Sequence, residues 1–180
     1  MVVAAELSLC YNRYRKVHQP IMNELQLLHD TSKAVTVQLM ARHNWALLDA
    51  AEFADRLHAR AQVAVPPADS PDLADPANSE ALTKLATSLY CEVWYEACSG
   101  AGERRKQAFS ELARYLYDRA LYKVRDAEVA SEITHDAIVL VAEQLPNCRN
   151  PSAFMAFALL KLWNASTAYL AVAAAGVSAG

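Results

Sequence analysis

Apolar residues recur at every third or fourth position along most of this chain, and that spacing restricts its fold more than any other feature. In the second half of the chain it predicts helices over residues 79–98, 103–124, 127–145 and 152–170. Glycine occurs only 4 times, whereas Ala and Leu are abundant. Ala and Leu lose little conformational entropy in a helix. The sequence therefore predicts an all-α protein that folds as a helical bundle.

The first half of the chain shows the same spacing with interruptions. Helical spacing runs over 4–18, and Pro20 predicts the start of a second helix over 20–29. Residues 34–40 include several β-branched side chains, so a short strand stays open there as an alternative to helix. A small helical N-terminal region is thus predicted over 1–64, and its sequence identifies no role for it.

A capping box marks one helix of this N-terminal region. Asp49 can accept a hydrogen bond from the third amide of a helix while Glu52 reaches back to the first. The helix that they begin should cover residues 50–63 and bury Phe53 and Leu57, which lie on one helical face.

The clearest linker in the chain is the segment 65–78, which contains 4 Pro and 3 Asp. Such a composition does not continue a helix. We place the domain boundary there, so that a second domain of three to four helices occupies residues 79–180. The first helix of that domain should end at Gly100 and Gly102, where glycine permits a left-handed backbone.

The charge of the chain argues against nucleic-acid binding without a partner. The formal net charge is −3 for the whole chain and +1 over residues 103–180. Unaided binding draws most of its affinity from the neutralisation of phosphates by Lys and Arg. Any contact with DNA would therefore have to depend on a partner.

The cysteines and histidines predict neither disulfides nor a metal site. Cys10, Cys91, Cys98 and Cys148 form no CxxC pair, which is typical of reduced cysteines in a cytoplasmic protein. Cys91 and Cys98 lie on one predicted helix face, which favours packing in the core. No His pair has the spacing of a metal site. No nucleophile–base pair indicates an enzyme, so we expect no cofactor, no metal and no catalysis.

Three consecutive segments carry motifs in a fixed order. The first contains Ala108-Phe109 and then Leu112, the second begins Asp126-x-Glu128-x-Ala130-x-Glu132, and the third has Ser152, Phe154, Phe157 and Asn164 after a short loop. This series resembles region 2 of the bacterial sigma-70 family of transcription factors, most closely the extracytoplasmic-function type. The resemblance covers residues 107–166, about a third of the chain. In the family, this region binds core RNA polymerase and the minus-10 promoter element.

The resemblance implies a polymerase-binding surface on the second of these helices. The residues that match it are Asp126, Glu128, Glu132, His135 and Asp136. Helical spacing places the last three on one exposed face, opposite Ile133 and Ala137. In the family, this face docks on a coiled coil in the clamp of the largest polymerase subunit. His135 stands where the family usually has Gln, so we expect docking to depend on pH.

The resemblance also implies contacts with single-stranded promoter DNA. The loop before the last helix and that helix itself match the segment that captures an unstacked base of the minus-10 element. The matching polar residues are Arg149, Asn150, Ser152, Lys161 and Asn164. Phe154 and Phe157 are expected to pack in the core because of their helical spacing. Trp163 is a candidate for stacking on a base.

The chain departs from the family after Asn164. The family continues with an Arg-rich helix that reads duplex DNA and then a minus-35 domain, but here no Lys or Arg follows Lys161. Such phosphate contacts supply affinity and register. Three explanations stay open for the Ala-rich tail: a helix packed on the bundle, a gene shortened by a frameshift, or a weak membrane anchor. The tail is less apolar than a membrane span requires, so no membrane association is expected.

Two functions are compatible with these observations. The first is a non-enzymatic, sigma-like initiation factor that binds core polymerase and touches promoter DNA weakly within that complex. An anti-sigma or regulatory protein is a further candidate partner. The second is a helical regulatory or partner-binding module without polymerase binding. Loss of polymerase binding on charge reversal of the acidic helix face would separate them.

Overall fold

The computed structural model describes residues 26–64 and 76–177, with side chains described at 26–64 and 79–171. Over these residues the protein is built from α-helices and contains no strand. The helices are α1 (26–43), α2 (Ala50–Ala64), α3 (Pro76–Ser99), α4 (Gly102–Val124), α5 (Ala127–Gln144) and α6 (Phe154–Val177). Short 3-10 turns at Leu145–Asn147 and Pro151–Ala153 connect α5 to α6. The predicted all-α helical bundle is confirmed. The helix predicted over 4–18, the start of the one over 20–29, and Cys10 lie outside the described residues.

Residues 34–40 lie within α1, so the alternative of a short strand there is wrong. Val35, Thr36 and Leu39 are buried, whereas Val37 is exposed. β-branching lowers helix propensity by only a few tenths of a kcal/mol. Burial of Val35 and Leu39 at helical spacing outweighs that preference, since one buried aliphatic side chain contributes about 1.5–3 kcal/mol.

The described residues form two compact units. One unit comprises 26–38, 50–64 and 76–85, and the other comprises 39–49 and 86–177. In the first unit, α2 covers the predicted range and buries Phe53 and Leu57, as expected. The domain boundary at the segment 65–78 stays a prediction, because residues 65–75 lie outside the described ranges. The helix expected from 79 begins at Pro76, a residue suited to the first helical turn.

The second unit is centred on α4, α5 and α6, which pack against one another. Each helix buries one stripe of small and aliphatic residues: Ala108, Leu112, Leu116 and Ala120 on α4; Ala130, Ile133, Ala137 and Val141 on α5; Phe154, Ala158, Leu162 and Ala165 on α6. Phe109 is only half-buried, and Ala108 occupies the core position instead. From α3, the Trp94 indole donates a hydrogen bond to the Ala108 carbonyl over 3.0 Å.

Two of the cysteines pack in this core as the sequence predicts. Cys91 and Cys98 on α3 are buried and free. Burial raises the pKa of the Cys98 thiol to about 12. It therefore stays protonated and behaves as a small apolar side chain.

Within the second unit, a buried carboxylate attaches the loop between α1 and α2 to α4. Glu111 of α4, only 5% exposed, accepts a hydrogen bond from the Tyr90 hydroxyl over 2.6 Å and another from the Ala46 amide over 2.9 Å. The same Tyr90 hydroxyl accepts a hydrogen bond from the Leu47 amide over 3.1 Å. The Trp45 ring stacks on the Tyr90 ring with centroids 4.1 Å apart and planes at 8°. Burial raises the pKa of both Tyr90 and Glu111.

Glu111→Ala should destabilise the protein by about 2–3 kcal/mol, because it leaves the buried Tyr90 hydroxyl and Ala46 amide without their acceptor. Urea unfolding measures the effect. Glu103→Ala on the same helix is the control: it removes an exposed i,i+3 ion pair with Lys106 and a negative charge in the first turn of α4, and it should change the unfolding free energy by less than about 1 kcal/mol. Equal effects of the two substitutions would contradict this account of the buried carboxylate.

The raised pKa of Glu111 predicts a pH dependence of stability. The folded protein binds the Glu111 proton more tightly than the unfolded chain does, since Glu side chains in an unfolded chain have a pKa of about 4.3. The contribution of Glu111 to the free energy of unfolding is therefore highest at low pH. It is lost as the pH rises through the pKa of Glu111 in the folded protein. Urea unfolding of the wild type and of Glu111→Gln should show it: the wild type should gain stability relative to the variant between about pH 7 and about pH 4.5. A constant difference between the two proteins over this range would refute the prediction.

Candidate functional site

The helix α5 begins at a side-chain cap. Asp126 has an extended backbone, and its carboxylate accepts hydrogen bonds from the Glu128 and Val129 amides over 2.9 and 3.0 Å. Glu128 lies in the first turn, where a negative charge is favoured by the helix dipole. The preceding residue, Arg125, is left-handed (φ 57°), and its amide ends α4 by bonding the Leu121 carbonyl. Asp126 is exposed, but its carboxylate is engaged in holding the start of α5.

The predicted exposure of the α5 face is confirmed. Glu128, Glu132, His135 and Asp136 are all exposed to solvent. The opposite side of the helix is buried, with Ile133, Ala137 and Val141 fully enclosed. These exposed and buried sets follow the 100° step of an α-helix, so α5 presents one polar face outward.

Two further residues, which were not identified from the sequence, continue this face. Val139 is 41% exposed, and Glu143 is exposed one turn further on. Their spacing of 7 and 11 positions from Glu132 was the signal that could have identified them. We use the term acidic face for this surface, which consists of Glu128, Glu132, His135, Asp136, Val139 and Glu143.

The acidic face carries no compensating positive charge of its own. The sequence of α5 contains no Lys or Arg. None of the four carboxylates of the acidic face forms an ion pair with another described residue. Glu128, Glu132 and Asp136 follow one another at i,i+4 spacing, and each such like-charged pair destabilises a helix by a few tenths of a kcal/mol. A positively charged partner would remove this repulsion.

The residues expected to contact DNA lie in different environments. Arg149 and Asn150 are exposed in the connection between α5 and α6, and Asn164 is exposed on α6. Ser152 is half-buried, and its hydroxyl bonds the Asn150 side-chain oxygen over 2.7 Å. The buried Cys148 thiol lies 3.6 Å from the Asn150 carbonyl. The connection is thus held by its own short-range contacts, and it presents Arg149 and Asn150 outward.

Lys161 differs from the other residues expected to contact DNA, because its side chain is not exposed. Lys161 is buried, and its ammonium donates a hydrogen bond to the Gln144 side chain over 2.6 Å. The ammonium also lies 4.7 Å from the Phe157 ring centroid. Helical spacing explains the position, because residue 161 falls on the same side of α6 as the buried Phe154 and Ala158. Lys161 therefore joins α6 to the end of α5 and is not grouped with Arg149.

An exposed aromatic residue with a neighbouring cation lies on the outer side of α6. Trp163 is 59% exposed, and the Lys123 ammonium of α4 lies 3.8 Å from the centroid of its ring. Trp163 was a candidate from the sequence but Lys123 was not, since the two residues are distant in the chain. As expected, Phe154 is buried in the core, whereas Phe157 is half-buried.

Comparisons with known proteins found no counterpart: no protein family, no curated protein and no solved structure matches the chain. The class of the protein is therefore known from its fold alone, and that class is an all-α helical bundle. Within the ranges described above, none of the helices has both the length and the apolar character needed to cross a membrane. The same ranges hold no group of three metal-ligating side chains.

Proposed function

We propose that this protein is a non-enzymatic, sigma-like transcription initiation factor that binds core RNA polymerase through the acidic face of α5. The observation that carries the proposal is the acidic face itself: four exposed carboxylates on one helix, without an ion-pair partner among the described residues, around one exposed aliphatic side chain. The resemblance of residues 107–166 to sigma region 2 supplies the identity of the partner.

The physical chemistry of this surface suits a basic partner. Opposite charges across an interface steer association and fix its register. Val139 lies among the carboxylates and is available as an apolar contact at the centre of such an interface. On the polymerase, the expected partner is the coiled coil in the clamp of the largest subunit, which presents Arg and Lys in the family that this chain resembles.

Contacts with promoter DNA belong to the complex and not to the isolated protein. Arg149 and Asn150 are exposed in the connection before α6, and Asn164 is exposed further along it. Trp163 adds an aromatic surface beside the Lys123 ammonium, a combination suited to an unstacked base and its phosphate. These groups are too few to hold duplex DNA, so the polymerase has to supply most of the affinity.

The protein would act in the cytoplasm together with the polymerase. The buried free thiols of Cys91, Cys98 and Cys148 support this location, because such thiols persist in a reducing compartment. An anti-sigma or regulatory protein that covers the acidic face would be the simplest means of control.

A charge-reversal variant tests the proposal. Glu132→Arg with Asp136→Arg should weaken binding to purified core polymerase at least about 10-fold, because two attractive charges become repulsive. The control is Glu96→Arg with Glu103→Arg, which changes the net charge equally at exposed positions outside α5 and should bind like the wild type. Binding is measured by titration of labelled protein with core polymerase.

Two results would contradict the proposal. One is the absence of wild-type binding, and the other is equal binding by the acidic-face variant and the wild type. Either result would favour the alternative function, a helical regulatory module that does not bind the polymerase. Circular dichroism of both variants shows whether the fold is retained, which we expect because all four substituted side chains are exposed.

A further inference from the structure

A surface pocket of about 260 Å³ lies in the second unit, between the end of α1 and the outer side of α4. Three arginines line it: Arg42 from α1, and Arg114 and Arg119 from α4. One carboxylate, that of Asp118, also lines the pocket. The pocket is therefore locally positive, although the chain as a whole has a net charge of −3.

The arginines converge on the pocket without ion pairs. Among the described residues, neither Arg42 nor Arg119 forms a salt bridge with a carboxylate. Burial lowers the pKa of the His43 imidazole, and the positive charges of Arg42 and Arg119 lower it further. Like charges gathered in this way repel one another, and an anion between them would replace the repulsion with charge-assisted hydrogen bonds.

Local contacts fix the shape of the pocket. Asn44 adopts a left-handed backbone (φ 53°) where α1 ends, and Asn tolerates this conformation better than most residues. Its carbonyl accepts a hydrogen bond from the Arg114 guanidinium over 2.7 Å. On the other side, the Arg119 guanidinium lies 5.3 Å from the Tyr115 ring centroid. Two of the three arginines are thus held in place before any ligand arrives.

An exposed aromatic ring borders the cations. Tyr122 lines the pocket and is 87% exposed. Aromatic rings beside arginines are the arrangement with which proteins hold a planar base next to its phosphate. The volume suits one phosphate with its sugar and does not suit a longer segment, whereas larger organic ligands occupy about 300–1,000 Å³.

We propose that this pocket binds the phosphate of a nucleotide unit, with Arg42 and Arg119 as the phosphate ligands and Tyr122 as the stacking surface for the base. The nucleotide can be free or part of a single-stranded nucleic acid, since both present the same phosphate beside a planar base. The site lies on α1 and α4, not on the acidic face of α5. It therefore shares no residue with the surface proposed to bind the polymerase.

Binding is measured with the full chain and three probes: inorganic phosphate, a nucleoside monophosphate, and a fluorescent single-stranded oligonucleotide of about 10 residues, a length within the usual single-strand site sizes. The wild type should bind the monophosphate or the oligonucleotide. Binding of the monophosphate identifies a free nucleotide as a sufficient ligand, and binding of the oligonucleotide alone identifies a strand.

The double variant Arg42→Gln with Arg119→Gln should lose at least about 10-fold in affinity. Tyr122→Ala should weaken nucleotide binding and leave inorganic phosphate binding unchanged.

The matched control is Arg104→Gln with Arg105→Gln, which removes the same charge from exposed positions at the start of α4, away from the pocket. It should bind within about 2-fold of the wild type, since long-range charge effects are screened by salt. The proposal is overturned if the wild type binds none of the probes, if the control loses as much affinity as the pocket variant, or if Tyr122→Ala weakens phosphate and nucleotide binding equally. The single variants Arg42→Gln and Arg119→Gln provide the same test should the double variant not fold.

Discussion

The carboxylate of Glu111 is the constraint on which the arrangement of the second unit depends. A buried carboxylate has to be matched by donors, because leaving it unpaired away from water costs several kcal/mol. Here the donors are the Tyr90 hydroxyl of α3 and the Ala46 amide of the loop between α1 and α2. Bonds from Gln107 and Arg114 to carbonyls of the same loop lie beside them. The loop is therefore attached along one side of α4, which brings the end of α1 to the basic pocket.

The net charge of the chain conceals two surfaces of opposite sign within the second unit. The acidic face of α5 has carboxylates and no cation, whereas the pocket between α1 and α4 has three arginines and one carboxylate. A charge count over the whole sequence averages the two surfaces and suggests no electrostatic binding site. Their separation on the fold is compatible with two partners of different charge, a basic protein surface on one side and a phosphate on the other.

The features of the fold and of the candidate site that depend on residues close together in the chain could be predicted from the sequence. Helical spacing predicted α4, α5 and α6 and most of the residues that they bury, although Leu160, expected inside on α6, is 54% exposed. The acids at the start of α5 indicated its first turn. The order of exposed and buried residues on α5, including Glu132 and Asp136, follows directly from that periodicity. The polymerase as partner came from resemblance and not from any of these patterns.

The remaining features depend on contacts between distant residues. Ala46 and Glu111 are 65 positions apart, so no local pattern indicates that the loop meets α4. The pocket lined by Arg42 and Arg119 was missed for the same reason. Lys161 came from the resemblance as a DNA contact, although helical spacing places it on the same side of α6 as the buried Phe154 and Ala158. For residues 34–40, tertiary burial overrode the local preference for strand.

Carboxyl-group footprinting of the protein with and without core RNA polymerase tests the central claim most directly, since it reads the acidic face residue by residue in the unmodified chain. The account predicts that labelling of Glu132 and Asp136 falls several-fold on addition of the polymerase, while labelling of the exposed Glu96 and Glu103 does not change. Undiminished labelling of Glu132 and Asp136 at saturating polymerase would show that this surface is not where the two proteins meet.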